Sequence, residues 1–182
     1  MPVDPAQDRP LFVIEGLTDL FNIVFFESLL EQELNRASRY GHPLAVLVAE
    51  IDGLPELEAA YGYGATNHLV REVGETIAAA IRDPDTLAST SRVAALGTQR
   101  FLVMMPETSE EGAFRAAEKI RGLIDGRTFP VSDGPAGITL SLGVACVTGA
   151  ETADANLLAR ATQALIEGRA VSGNHIQVAT PN

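Results

Sequence analysis

Few side chains in this sequence have the type and spacing for chemistry, and several familiar arrangements are missing. No Ser-His-Asp or Cys-His set can be assembled. His68 and His175 stand too far from other ligands to suggest a metal site. Gly62-Tyr63-Gly64 lacks the Lys-Ser/Thr that would make a glycine turn a phosphate cradle, so it reads as a helix break. Cys146 is alone, which excludes an internal disulfide and a thiolate cluster, and its alternation with apolar neighbours marks it as a small buried residue. What remains is a handful of charged and polar residues beside apolar runs. Glu50 and Asp52 close one such run. Gln99 and Arg100 follow Gly97-Thr98 in a turn between the apolar stretches Val93 to Leu96 and Phe101 to Met105. Arg82 and Asp85 end a helical stripe, where the plain reading is a solvated helix C-terminus with Arg82 near the last carbonyls.

The elements that must position these residues follow from hydrophobic periodicity. Phe25, Phe26, Leu29, Leu30, Leu34 and Ala37 recur at helical spacing, which predicts a helix over 23–40, stopped by Gly41-His42-Pro43. Leu44 to Ile51 is nearly continuous apolar sequence, a central strand buried on both faces. Pro55 to Tyr61 predicts a short helix, and Leu69, Val70, Val73, Ile77, Ala80 and Ile81 the stripe of a second, long one. Thr86 to Ser91 reads as a small polar loop, and the stretch up to Pro106 as a β-hairpin with buried flanks. Thr108 and Glu111 have capping-box spacing before a helix with Ala113, Phe114, Ala117, Ile120 and Ile124 on one face. Phe129 to Val131 is expected as an edge strand. Ile138, Leu140, Leu142, Val144 and Cys146 alternate with Thr139, Ser141, Gly143 and Ala145, a strand with one buried face. Asp154 is expected to cap a last helix, and Ile176 to Val178 to close as a strand. Strands and helices interleave around a hairpin, which argues for one sheet covered by helices.

The chain has 182 residues, enough for one domain with a full core. Its formal net charge of −11 repels phosphate backbones and argues against a nucleic-acid partner. No run approaches the ~18 apolar residues of a membrane span. The N-terminus carries Asp4, Pro5, Gln7 and Asp8 instead of a signal-peptide pattern, so a soluble, cytoplasmic protein in a reducing compartment is expected. Residues 1–16 read as a flexible tail with an apolar patch at Leu11 to Ile14, and 17–182 as the domain.

Over most of its length the sequence resembles the GGDEF domain of diguanylate cyclases. Gly16-Leu17-Thr18-Asp19-Leu20-Phe21-Asn22 is similar to the family's Leu-Thr-Gly-Leu-x-Asn-Arg opening, and Gly97-Thr98-Gln99-Arg100-Phe101 to its Gly-Gly-Asp/Glu-Glu-Phe turn. The resemblance implies the ferredoxin-like palm of nucleotidyl cyclases, with a mostly antiparallel central sheet flanked by helices. It also implies a GTP site whose metal is held by an acid at the end of the first strand and by the third turn residue. Glu50 falls at the first of these positions, a weak candidate ligand, with Asp52 beside it. Gln99 falls at the second and is a far poorer ligand than a carboxylate. Arg100 replaces the family's Glu, and Thr98 replaces a glycine that lets the nucleotide approach. Glu58 and Asn67 occupy the guanine-reading positions, Pro55 replaces a Lys, and Arg169 and Gly173 stand at phosphate-contacting positions. Together these replacements imply no catalytic residues, no resident metal and no cofactor, with Mg²⁺ relevant only to residual GTP binding.

A second family site, the Arg-x-x-Asp that binds cyclic di-GMP, is matched by Arg82-Asp83-Pro84-Asp85. Counted forward from Asn67 the motif is in register; counted back from the turn it is too far. About six inserted residues near Thr86 to Ser91 reconcile the two. Lys119 stands where the family adds a cation to the same site. Arginine offers a donor fork to the guanine O6/N7 edge and the carboxylate accepts from the opposite edge. The expectation is a catalytically inactive GGDEF domain serving as a cyclic di-GMP receptor or protein-interaction module. A pure scaffold and a residual cyclase or GTP-binding regulator are the alternatives. A protein partner is expected, with input arriving through it or through a ligand, because 182 residues leave no room for a sensor domain.

Overall fold

Eight of the nine residues of one strand, Pro43–Ile51 (β2), are buried, and the rest of the fold is arranged around it. The computed structural model describes residues 13–90, 99–131, 134–149 and 156–180. In chain order the other elements are β1 (Phe21–Asn22), α1 (Ile23–Tyr40), α2 (Leu54–Ala80), β3 (Thr86–Ser89), β4 (Arg100–Pro106), α3 (Glu110–Asp125), β5 (Thr128–Val131), β6 (Gly134–Gly137), β7 (Leu140–Thr148), α4 (Leu157–Val171) and β8 (Ile176–Val178). Six strands form one sheet in the order β1-β3-β4-β2-β7-β8. Its inner pairings, β3–β4, β4–β2 and β2–β7, are antiparallel; the outer ones, β1–β3 and β7–β8, are parallel.

Side chains alternate across β2, which is why it must be apolar on both faces. Ala45, Leu47, Ala49 and Ile51 pack with residues of α2 and α3, such as Val73 and Ala117. Leu44, Val46 and Val48 pack with residues of α1 and α4, such as Phe26 and Ala161. Glu50 and Asp52 therefore emerge at the strand's end. α1 occupies the predicted span, capped by Asn22, whose side chain accepts from the Phe25 amide at 3.0 Å, and closed by Gly41 at φ 70°. α2 runs through the predicted break, where Gly62 adopts φ 82°, ψ 162°, a conformation that favours glycine.

Several expectations need correction. Thr86–Ser89 is a strand, not a polar loop, and it is β3 that pairs with β4, with Ser89 opposite Phe101. Leu87, Ala88 and Ser89 are buried, and the Ser89 hydroxyl is satisfied by Thr18 Oγ1 at 2.6 Å and Glu15 Oε2 at 3.4 Å. The expected hairpin flank Val93 to Leu96 and the turn residues Gly97 and Thr98 lie outside the described residues. Thr90 and Arg100 continue the pairing: the Thr90 amide donates to the Arg100 carbonyl at 3.0 Å and the Arg100 amide to Thr90 Oγ1 at 3.0 Å. Ser109, not Thr108, caps α3, and Asn156 caps α4; Asp154 lies outside the described residues. Phe129 to Val131 is no edge of the main sheet, because β5 pairs with β6 in a separate two-stranded hairpin.

β7 is buried on both faces, contrary to the one-sided reading. Its small residues Ser141, Gly143 and Ala145 are small because α4 lies against them. A Cβ on Gly143 would stand 2.0 Å from the Ala161 carbonyl oxygen. At the N-terminal side, residues 1–12 of the expected tail lie outside the described residues. Ile14 already bridges to Phe21, and the Asn22 amide donates to the Val13 carbonyl at 2.7 Å. Among the described residues no helix is long and apolar enough to cross a membrane.

Candidate functional site

Two constellations emerge, one at the end of β2 and one at the end of α2. The first is built on Glu50, whose register partners are Arg100 on β4 and Ser141 on β7. Arg100 Nε donates to Glu50 Oε1 at 2.6 Å, and Arg169 Nη1, reaching over from α4, donates to Oε2. The Glu50 side chain is only 4% exposed, against 29% for Arg100 and 34% for Arg169, so two partly solvated guanidiniums cover a buried carboxylate. Asp52 is held differently. Its oxygens accept from Thr139 Oγ1 and Ser141 Oγ, both at 2.7 Å, and from the Asn174 amide at 2.8 Å, with Arg169 Nε 3.8 Å away. The structure thus brings together Glu50, Asp52, Arg100 and Arg169.

Other residues expected in this pocket are placed differently. Gln99 is 1% exposed, and its amide has no hydrogen-bond partner among the described residues. Glu58 and Asn67 stand half-buried on α2, on either side of the Gly62 kink. Gly97 and Thr98 lie outside the described residues. The hydroxyl partners of Asp52 were not anticipated. Their signal is present, since Thr139 and Ser141 alternate with apolar residues in β7 and its approach, but the same alternation also fits a solvent-facing side. A cavity of about 460 Å³ opens beside this cluster, lined by Asp52, Glu56, Tyr61, Asp125 and Thr139 among others, and it contains none of the paired arginines.

The second constellation forms where α2 stops. The Asp85 amide donates to the Arg82 carbonyl at 3.0 Å, making a tight turn that brings the two side chains together. Asp85 accepts from the Arg82 amide at 3.1 Å and from Arg82 Nη2 at 3.0 Å. Arg82 Nη2 also donates to Thr108 Oγ1 at 2.7 Å. The Asp85 side chain is 4% exposed and that of Arg82 58%, so a buried acid anchors an exposed fork. The hydrogen bond to Asp85, helped by its charge, raises the Arg82 pKa above its ordinary value against a smaller opposing effect of burial. Lys119 Nζ donates to the Ala80 carbonyl at 2.7 Å, satisfying one of the last carbonyls of α2. Arg82, Asp85, Thr108, Arg115 and Lys119 line a cavity of about 290 Å³. Arg82, Asp85 and Lys119 were expected together. Thr108 and Arg115 join them unexpectedly: Thr108 has the spacing of a helix cap, and Arg115 carries no signal beyond its spacing from Lys119.

Comparison with known proteins places this geometry in context. The family described as diguanylate cyclase, GGDEF domain, matches residues 13–175. The response regulator PleD of Caulobacter vibrioides is 28% identical over 168 residues, covering 91% of this chain and 36% of its own length. The chain spans well under half the length of the curated relatives it matches. The GGDEF domain of PA1120 (YfiN or TpbB) from Pseudomonas aeruginosa superposes with a TM-score of 0.80 at 25% identity, covering 91% of this chain and 99% of that one. The GGDEF domain of DgcB from Caulobacter crescentus, solved in complex with c-di-GMP, gives a TM-score of 0.80 at 20% identity, covering 100% and 97%.

Proposed function

The chain belongs to the diguanylate cyclase GGDEF domain family, and from that premise we propose that it binds cyclic di-GMP as a receptor and does not synthesise it. The observation that carries the proposal is the cavity at the end of α2 that gathers Arg82, Asp85 and Lys119. A guanine base presents acceptors O6 and N7 on one edge and N–H donors on the other. An arginine fork and a carboxylate are the side chains that complement those two edges. Thr108 holds one guanidinium nitrogen, which limits the orientations the fork must give up on binding. Without ligand, Arg82 and Asp85 bond each other. A guanine inserting between them replaces each bond with one of similar kind. The cavity sits near the lower end of small-ligand sites, about 300 Å³ and upwards, so it fits a base while the rest of the dinucleotide lies over its rim.

The cluster at the end of β2 supports the negative half of the reading. A divalent cation there would need the Glu50 carboxylate, and both of its oxygens already accept from guanidinium nitrogens. A metal would also stand beside the charges of Arg100 and Arg169, a like-charge arrangement that costs rather than stabilises. The residues present do not fit a resident Mg²⁺, and no catalytic step is derived through one.

Titration calorimetry at physiological salt tests the receptor. The wild type is expected to bind cyclic di-GMP saturably and Arg82→Ala to abolish binding; equal binding by both sinks the assignment. Incubation with GTP and Mg²⁺ tests the other half. No cyclic di-GMP is expected, and product formation lost on Glu50→Ala overturns it.

A further inference from the structure

We propose that the groove between α1 and α4 docks a basic amphipathic helix of a partner protein. The groove lies across the sheet from the cavity at the end of α2, because α1 and α4 pack on one face of β2 and α2 and α3 on the other. It opens at the N-terminal end of α4, about three turns from Arg169. The inference is therefore independent of the receptor reading.

The groove has a volume of about 340 Å³. Its apolar lining is Leu30 and Leu157, which are buried, and Leu34 and Leu158, which are half-buried. Both sides are helices, whose backbone groups are taken by their own hydrogen bonds. Asn156 caps the end of α4 that opens here, its side chain accepting from the Ala159 amide at 3.4 Å. An extended segment would find no main-chain partners in such a groove. A helix brings its own, and offers apolar anchors one turn apart.

Glu27 and Glu31 set the charge of the occupant. Both line the groove, both are exposed, and they stand one turn apart on α1, a like-charge spacing that destabilises a helix. Among the described residues neither has an ion-pair partner, whereas Glu33 on the same helix pairs with Arg36 at 3.6 Å. No described residue lining the groove is a cation. Lysine or arginine beside an apolar ridge supplies the missing charge. A second copy of this chain does not, because two copies meeting here set the same glutamates face to face, each on a chain of net charge −11. Residues 1–12 of the chain itself are no better matched, with Asp4 and Asp8 against Arg9.

Two synthetic helices of about 15 residues with the same leucine ridge, one flanked by lysine and one by glutamate, test the inference by fluorescence anisotropy on the full chain. The lysine helix is expected to bind about tenfold or more tighter than the glutamate helix, and more weakly as salt rises. A scrambled lysine peptide without the ridge should not bind. Leu158→Asp, an acid in the first turn of α4 and so compatible with folding, should abolish binding. The double variant Glu27→Lys/Glu31→Lys, at exposed positions, should reverse the preference so that the glutamate helix binds tighter. Circular dichroism checks that both variants are folded. Failure of the lysine helix to bind, equal binding of the scrambled peptide, or a preference that the double variant leaves unchanged overturns the proposal. Dimerisation of the wild type that Leu158→Asp removes would assign the groove to a second copy and overturns it too.

Discussion

Gly143→Ala is expected to destabilise the protein by about 3 kcal/mol or more, which lowers its melting temperature by roughly 6–12 °C for a chain of this size. Gly143 lies in the middle of β7, where α4 comes closest to the sheet. A methyl group added there would stand 2.0 Å from the Ala161 carbonyl oxygen, 2.4 Å from the Leu165 amide nitrogen and 2.9 Å from Leu165 Cβ. Two of those atoms are backbone, so no rotamer change relieves the overlap, and the whole helix must move away. Moving α4 opens the packing of Leu157, Ala161 and Leu165 against Val46, Val48 and Ala145. It also carries Arg169 away from Glu50. Gly122→Ala on α3 is the control, because its added Cβ meets nothing within 4 Å. In an exposed helix position that change is expected to be neutral or to stabilise by up to about 1 kcal/mol. Thermal and denaturant unfolding of both variants measures the contrast. A Gly143→Ala loss below 1 kcal/mol would mean that α4 does not rest on β7 as described.

The same strand shows where sequence reading succeeds and where it stops. Local patterns were legible: the apolar run of β2 is the central strand, and the stripe from Phe25 to Ala37 is α1. β7 was misread because its alternation separates large residues from small ones, not buried from exposed. Only the position of α4 explains that difference. β3 was missed because Thr86–Ser89 looks polar, and its burial depends on Glu15 and Thr18, more than 70 residues away in sequence. Thr108 has the residue type and spacing of a cap, yet its hydroxyl serves Arg82, 26 residues earlier. At the candidate sites, resemblance to a family singles out Glu50, Asp52, Arg100, Arg169 and the Arg82–Asp85 pair as candidates. It did not reveal that Arg100 and Arg169 both close on Glu50, because that depends on chain segments 50 and 119 residues from it. Partners that meet only through tertiary packing leave no periodic trace in sequence.

Removing both arginines from Glu50 is the second large effect, and it joins stability to the proposed loss of metal chemistry. Arg100→Ala or Arg169→Ala alone leaves one guanidinium on the carboxylate, and each is expected to cost about 1–2 kcal/mol. Glu50 is 4% exposed because the two guanidiniums cover it, so the double variant both strips its cations and opens it to solvent. Stranding a fully buried charge costs about 3–5 kcal/mol, which sets the ceiling for the double variant, and water reaching the uncovered carboxylate brings the loss down to about the sum of the single ones. Adding Glu50→Gln removes the stranded charge and should recover most of the loss. The double variant also frees both Glu50 oxygens beside the Asp52 carboxylate, which makes the position attractive to a hard divalent cation. Millimolar Mg²⁺ is therefore expected to raise the melting temperature of the double variant and leave that of the wild type unchanged, since a ligand stabilises only the folded state it binds. Equal stability of wild type and double variant, with no response to Mg²⁺ in either, would show that the arginines neither stabilise Glu50 nor occupy the place of a metal.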